Sequence, residues 1–149
     1  MDDVDMIARF CAATEAGDID AVIETFAVDA ELVSPLAGRA VFRGHDDLRV
    51  LFAALLTTLS GLTWRHRVGG AGTAVAVAEA RVVGVRIGDA MLIEQDIDGR
   101  IRRLTPHIRP WLGSTLLAAV LGPKLARHPG VVRRSLLRNR TSISAESAR

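Results

Sequence analysis

Three glycine-bearing turn signals cut the stretch from Leu62 to Arg109, and they constrain the fold more than any other feature of the chain. Gly69-Gly70-Ala71-Gly72, Gly88-Asp89 and Asp98-Gly99 separate the β-leaning runs Leu62–Val68, Thr73–Ile87, Ala90–Ile97 and Arg100–Arg109. Connections this short join antiparallel neighbours, so the pattern predicts a meander of consecutive strands. The glycines at 69–72 lack the Lys-Ser/Thr ending and the following helix of a phosphate loop, which leaves a hairpin as their reading.

Upstream the apolar period changes. Ile7, Phe10, Cys11 and Thr14 recur at helical spacing behind the acids Asp2, Asp3 and Asp5, and Gly17 stops the run. Asp18 is then a natural N-cap for a second short helix with Ile19, Val22, Ile23 and Phe26 on one stripe. Ala30 to Ser34 is short and β-leaning, and Pro35, Gly38 and Gly44 punctuate a loop and a short strand around Ala40–Arg43. A third helix opens at His45, Asp46 and Asp47, lines one face with Leu48, Leu51, Phe52, Leu55, Leu56 and Leu59, and ends at Gly61. Helices followed by a meander predict an α+β fold, with helices covering one face of a curved antiparallel sheet.

After Pro110 an apolar helical pattern returns through Trp111, Leu112, Leu116, Leu117, Val120, Leu121 and Leu125, with a kink or break expected at Gly122-Pro123. A basic helix over Gly130–Arg138 is expected next, and the last ten residues carry no periodic pattern. This divides the chain into a domain over 1–110, a helical extension over 111–139 and an unstructured tail over 140–149. The extension has three candidate roles, as a lid over a cavity, an arm exchanged between subunits or an interfacial membrane helix; the lid is preferred because the segment directly follows the last strand. Membrane contact is not expected from so weakly amphipathic a segment.

Size and composition fit one globular unit: 149 residues, 49% hydrophobic and 24% charged. The net charge of +2 hides an asymmetry. Residues 124–149 hold seven Lys/Arg against Glu146, a charge of +6, and the rest of the chain carries −4. No aromatic residue follows Trp111 to stack on bases, so nucleic acid is not an expected partner. Cys11 is the lone cysteine, no Cys/His cluster has metal spacing, and no apolar run reaches about 18 residues. The acidic start lacks the pattern of an export signal, so the expectation is a cytoplasmic protein without metal or cofactor.

Three stretches carry a family likeness: Gly17-Asp18-Ile19-Asp20-Ala21 with Phe26 and Asp29-Ala30-Glu31-Leu32; Phe42-Arg43-Gly44-His45-Asp46-Asp47-Leu48; and Asp98-Gly99-Arg100-Ile101 with Arg109-Pro110. In this order they resemble the SnoaL-like branch of the nuclear transport factor 2 like superfamily. The resemblance implies a cone-shaped α+β fold, a pocket for a small hydrophobic ligand, and a homodimer through the outer sheet face. Trp64, Phe26, Phe52, Met91 and Ser34 are the candidate pocket residues on that basis.

It does not imply one reaction, because the superfamily hosts isomerases, epoxide hydrolases, dehydratases, cyclases and noncatalytic binders. Ketosteroid isomerase relatives place a carboxylate before a proline after the first strand and use a tyrosine; here the pair is Ser34-Pro35 and there is no tyrosine. Limonene-epoxide hydrolase relatives need an acid in the last strand, and Leu104–Arg109 has none. The remaining acid/base candidate is His107, with His66 or Glu94 assisting, since imidazole changes charge near neutral pH. The plainer reading of His107 is a hydrogen-bonded surface histidine. By strand alternation Trp64 and His66 share a face, Glu94 and Asp96 point away from the helices, and Glu79 suits an ion pair. A noncatalytic assembly module, with side chains filling the interior, is the third class of function.

Overall fold

A computed structural model describes residues 5–36 and 40–146, with 138–146 as backbone alone. The order is α1 (Met6–Ala16), α2 (Ile19–Glu24), β1 (Phe26–Val33), β2 (Val41–Arg43), α3 (His45–Thr58), β3 (Leu59–Gly70), β4 (Thr73–Val82), β5 (Val85–Gln95), β6 (Ile101–Thr105), β7 (Ile108–Arg109), α4 (Trp111–Ala126) and α5 (Pro129–Glu146). The α+β class agrees with the sequence reading. Asp2, Asp3 and Gly38, which entered that reading, lie outside the described residues.

Local chemistry sets the helix ends. The Asp5 carboxylate accepts from the N–H groups of Ile7 and Ala8 at 3.1 and 3.0 Å, and Asp18 accepts from Ala21 at 3.1 Å. Gly17 ends α1 at φ +70°, a left-handed conformation that costs glycine nothing. Helix α2 stops at Glu24, so Phe26 begins β1 instead of completing the helical stripe. His45 Nε2 lies 3.2 and 3.1 Å from the carbonyls of Phe26 and Ala27. Two carbonyl acceptors require the hydrogen on Nε2, and the contact ties the start of α3 to β1.

The sheet runs β2-β1-β6-β5-β4-β3, with β7 also paired to β5. It is mixed and not wholly antiparallel as expected, because β1 and β6 run parallel. That pairing joins segments separated by α3 and four strands, and no local pattern encodes it. A second correction concerns the hairpin between β4 and β5. It turns at Val83-Gly84, whose φ values of 48° and 79° are those of a two-residue primed turn, and Gly88-Asp89 lies inside β5.

The new register decides which side chains face the helices. Ala74, Ala76, Ala78, Ala80 and Val82 of β4 are buried, while Val75 and Arg81 are exposed. On β5, Asp89 has the inward phase of its buried neighbours Ile87, Met91 and Ile93. In β3 the register slips between Trp64, opposite Ala78, and His66, opposite Val77. A bulge of this kind bends the strand and breaks its alternation, so Trp64 faces inward and His66 outward. The two do not share a face, contrary to the sequence reading.

Helices α1 and α3 close over an aromatic cluster of Phe10, Phe26, Phe52 and Trp64, with centroids 5.6–5.9 Å apart for the contacting pairs. Burying one such side chain contributes about 1.5–3 kcal/mol. Helix α4 packs Leu117 and Leu121 on Ala80, Val82 and Ile87. Gly113 lets it approach closely, since a Cβ there would overlap Ile87 Cγ2. Lys124 Nζ donates to the Thr58 hydroxyl at 2.7 Å, joining the far end of α4 to the end of α3.

Helix α5 continues through Glu146, into the stretch expected to lack structure; 147–149 lie outside the described residues. Arg134 anchors it to α3 with a two-pronged contact to Asp47, Nε to Oδ2 at 3.0 Å and Nη2 to Oδ1 at 2.7 Å. The Asp47 side chain is only 7% exposed, so removing Arg134 would leave a buried acid without its ion-pair partner. Arg134→Gln is expected to loosen α5 from α3 and raise amide exchange over Pro129–Leu137, while α1 keeps its protection. Unchanged exchange in α5 would show that apolar packing alone holds the helix.

Candidate functional site

Between the sheet and the helices lies a cavity of about 360 Å³. The sequence creates it by placing small residues where the sheet faces inward: Ala78 and Ala80 form its floor. Phe10 of α1, Leu51 and Phe52 of α3, Trp64 of β3 and Met91 of β5 stand around that floor. Leu117, Leu121 and Leu125 of α4 and Val132 of α5 complete the enclosure, so the C-terminal helices form part of the cavity wall.

Few polar side chains reach this space. The Thr14 hydroxyl lies 3.0 and 2.9 Å from the carbonyls of Phe10 and Cys11, and it accepts from Trp64 Nε1 at 2.9 Å. That last bond holds the indole against the wall. Ser135 donates to the Val132 carbonyl at 2.8 Å, and the Leu36 N–H donates to Ser34 Oγ at 3.2 Å. The Glu79 carboxylate lies 3.3 Å from Arg65 Nε in an ion pair.

Asp89 differs from all of these. Its Oδ1 accepts from the His107 backbone N–H at 3.0 Å, and the same N–H reaches the Ala90 carbonyl at 3.1 Å. No donor meets its Oδ2 among the described residues. Burial among apolar neighbours pushes the Asp89 carboxyl up to about 6, against the smaller opposing effects of the His107 N–H and the His107 charge. A carboxyl so placed can exchange a proton near neutral pH or meet a ligand donor. Cys11 is the contrasting case: burial pushes its thiol up to about 11, which keeps it protonated and unreactive.

Trp64, Phe52, Met91 and Ser34 line the cavity. Phe26 does not; it is 1% exposed and sits among the core rings. The side chains of His107, His66 and Glu94 also do not line it. His107 is exposed with Nδ1 3.1 Å from the Ala90 carbonyl, and it touches the site through its backbone N–H. His66 is on the outer face beyond the β3 bulge. Glu94 lies 3.0 Å from Arg102 and 3.9 Å from Arg103. The structure therefore does not bring these three groups together around the cavity. Asp89, which lines the cavity along with the ion-paired Glu79, is not among the candidates the sequence offers, because Gly88-Asp89 has the composition of a turn. Its available signal was the alternation Ile87, Asp89, Met91, Ile93.

Among the described residues no group of three His, Cys, Asp or Glu side chains could hold a metal ion, and no helix is long and apolar enough to cross a membrane. Several solved structures share the fold. An uncharacterised protein with a cystatin-like fold from Silicibacter pomeroyi superposes with a TM-score of 0.80 and 18% identity, covering 87% of this chain and 93% of its own. A steroid delta-isomerase from Pseudomonas aeruginosa gives 0.76 and 22%, covering 86% and 94% respectively. A putative polyketide cyclase from Sinorhizobium meliloti gives 0.59 and 23%, covering 69% and 94%. At these identities the likeness concerns the fold. No curated protein sequence matches the chain significantly. The family model of the SnoaL-like domain matches residues 7–104, from α1 into β6, and the chain belongs to that family.

Proposed function

We propose that the protein binds one small, mainly apolar organic molecule per chain in the cavity between its sheet and its helices. The observation that carries this reading is a cavity of about 360 Å³ walled by aliphatic and aromatic side chains, with a single carboxyl lacking a full set of partners among the described residues. Its volume is within the range of ligand pockets, and orientation by very few polar groups is their usual chemistry. Two structural neighbours bear the names of a steroid delta-isomerase and a putative polyketide cyclase, names that refer to organic small molecules. An interior filled by side chains would have favoured a purely assembly role; this interior is open.

Conversion of the ligand by acid/base chemistry is the second reading. Asp89 supports it, because a carboxyl near 6 takes up and releases protons at physiological pH. His107 would then be a positioning residue, acting through the N–H that steadies Asp89. The proposal includes a homodimer, for which Val68 and Val75, opposite one another on the outer sheet face and both exposed, are the supporting patch. It also places the protein in the cytoplasm, a setting compatible with its lone thiol.

The test uses the cavity floor. Native mass spectrometry of protein purified from its own source is expected to show one small molecule per chain, and Ala78→Phe is expected to abolish its retention while preserving the circular dichroism spectrum. Equal ligand occupancy in the variant would remove the cavity from the account.

A further inference from the structure

We infer that the cavity selects ligands carrying a cationic nitrogen on an apolar body, with the nitrogen on Asp89 and the body lying over Ala78 against Trp64. This rests on the proposal that the cavity binds an organic molecule, and it specifies the chemical class.

Strand register supplies the geometry. Trp64, Ala78, Asp89 and Ile108 lie opposite one another on β3, β4, β5 and β7, forming one row across the sheet. Adjacent strands are spaced by about 4.8 Å, so the backbones of Trp64 and Asp89 stand roughly 10 Å apart. Only the methyl group of Ala78 rises between them. A flat or compact apolar body fits in that gap, with the indole face on one side and the carboxyl on the other.

Charge supplies the selection. Among the described residues no Lys, Arg or His side chain lines the cavity. Of its two acids, Glu79 is paired with Arg65. The other charges near Asp89 are also directed elsewhere: the His107 imidazole is exposed with Nδ1 on the Ala90 carbonyl, and Arg109 packs across Gly88, on the opposite phase of β5. From α4, Lys124 reaches the hydroxyls of Thr57 and Thr58. An ionised Asp89 is therefore a desolvated charge with no cationic side chain in hydrogen-bond or ion-pair contact among the described residues, the exposed His107 imidazole acting on it only at a distance. A ligand ammonium would provide both the missing charge and a donor to Oδ2; an alcohol would provide only the donor, and a carboxylate would add repulsion. A cation close enough to the indole would gain further from its π face.

Three compounds with one apolar cage test the inference: adamantyl amine, adamantyl alcohol and adamantane carboxylate, titrated calorimetrically at neutral pH. The amine is expected to bind on the order of tenfold more tightly than the alcohol, with the carboxylate weakest, as expected when a charge-assisted bond replaces a neutral one. Asp89→Asn preserves the acceptor for the His107 N–H and is expected to bring the ratio of amine to alcohol affinity toward one. A ratio near one in the unaltered protein, or a preference that survives Asp89→Asn, would overturn the inference while leaving cavity binding intact. Failure of all three compounds to bind, together with ligand retention that is insensitive to Ala78→Phe, would overturn the cavity reading and the inference with it.

Discussion

Phe10→Ala is expected to cost about 3–5 kcal/mol of folding stability, the range for deleting a fully buried aromatic side chain. Phe10 is 0% exposed and touches three other rings, tilted against Phe26 and Trp64 and edge-on to Phe52. Each such pair contributes about 0.5–1.5 kcal/mol beyond burial. The surroundings have little freedom to collapse. Phe26 and Phe52 are themselves fully buried, and the Trp64 indole is held by its bond to Thr14. Because Phe10 also lines the cavity, the space vacated would join it and enlarge it toward α1. Urea denaturation should show a lower midpoint at unchanged slope. A loss below about 1 kcal/mol would mean that the rings repack and the aromatic wall is not rigid.

Asp89→Asn carries the second large effect, and its signature is a pH dependence. The folded carboxyl sits near 6 and its ordinary value is 3.8, so between these the native state binds more protons than the unfolded chain. Stability contributed by Asp89 is therefore greatest below 3.8 and falls as pH rises toward 6. The shift corresponds to a decrease of about 3 kcal/mol across that window. The amide cannot ionise, so above pH 6 the variant should gain by that amount relative to its standing in acid. Asp5 behaves oppositely: its hydrogen bond to Arg67 holds its carboxyl below the usual range, and its contribution is lost as pH falls. Subtracting the variant's stability curve from that of the unaltered protein cancels Asp5 and isolates Asp89. A difference independent of pH would show that Asp89 is solvated like any surface acid.

The helices were legible because their information is local. Asp5, Asp18 and Gly17 cap the first two helices as their residue types require, and Leu48, Leu51 and Phe52 are buried at the spacing that predicted a helix face. The basic segment was legible as a helix after Pro129, but its anchor was not, since Arg134 and Asp47 are 87 residues apart.

The candidate site was only partly legible. Trp64, Phe52, Met91 and Ser34 were named as pocket residues through a family resemblance, and their side chains line the cavity. Asp89 escaped because Val83 holds φ +48°, a conformation that β-branched residues avoid, while Gly88-Asp89 has the composition of a turn. Moving the turn by five residues changed Asp89 from a loop residue into the inward acid of a strand.

By itself, then, the sequence determined the helices, the strand-rich segment that follows them and the α+β class, since caps and apolar periods act within a few residues. Only the tertiary structure decided the parallel β1–β6 pairing, the bulge that turns His66 outward, and the row that sets Trp64 and Asp89 on either side of Ala78. A strand's alternation states that two faces differ; which face meets the helices, and what stands opposite on the next strand, depends on turns and bulges that long-range packing selects.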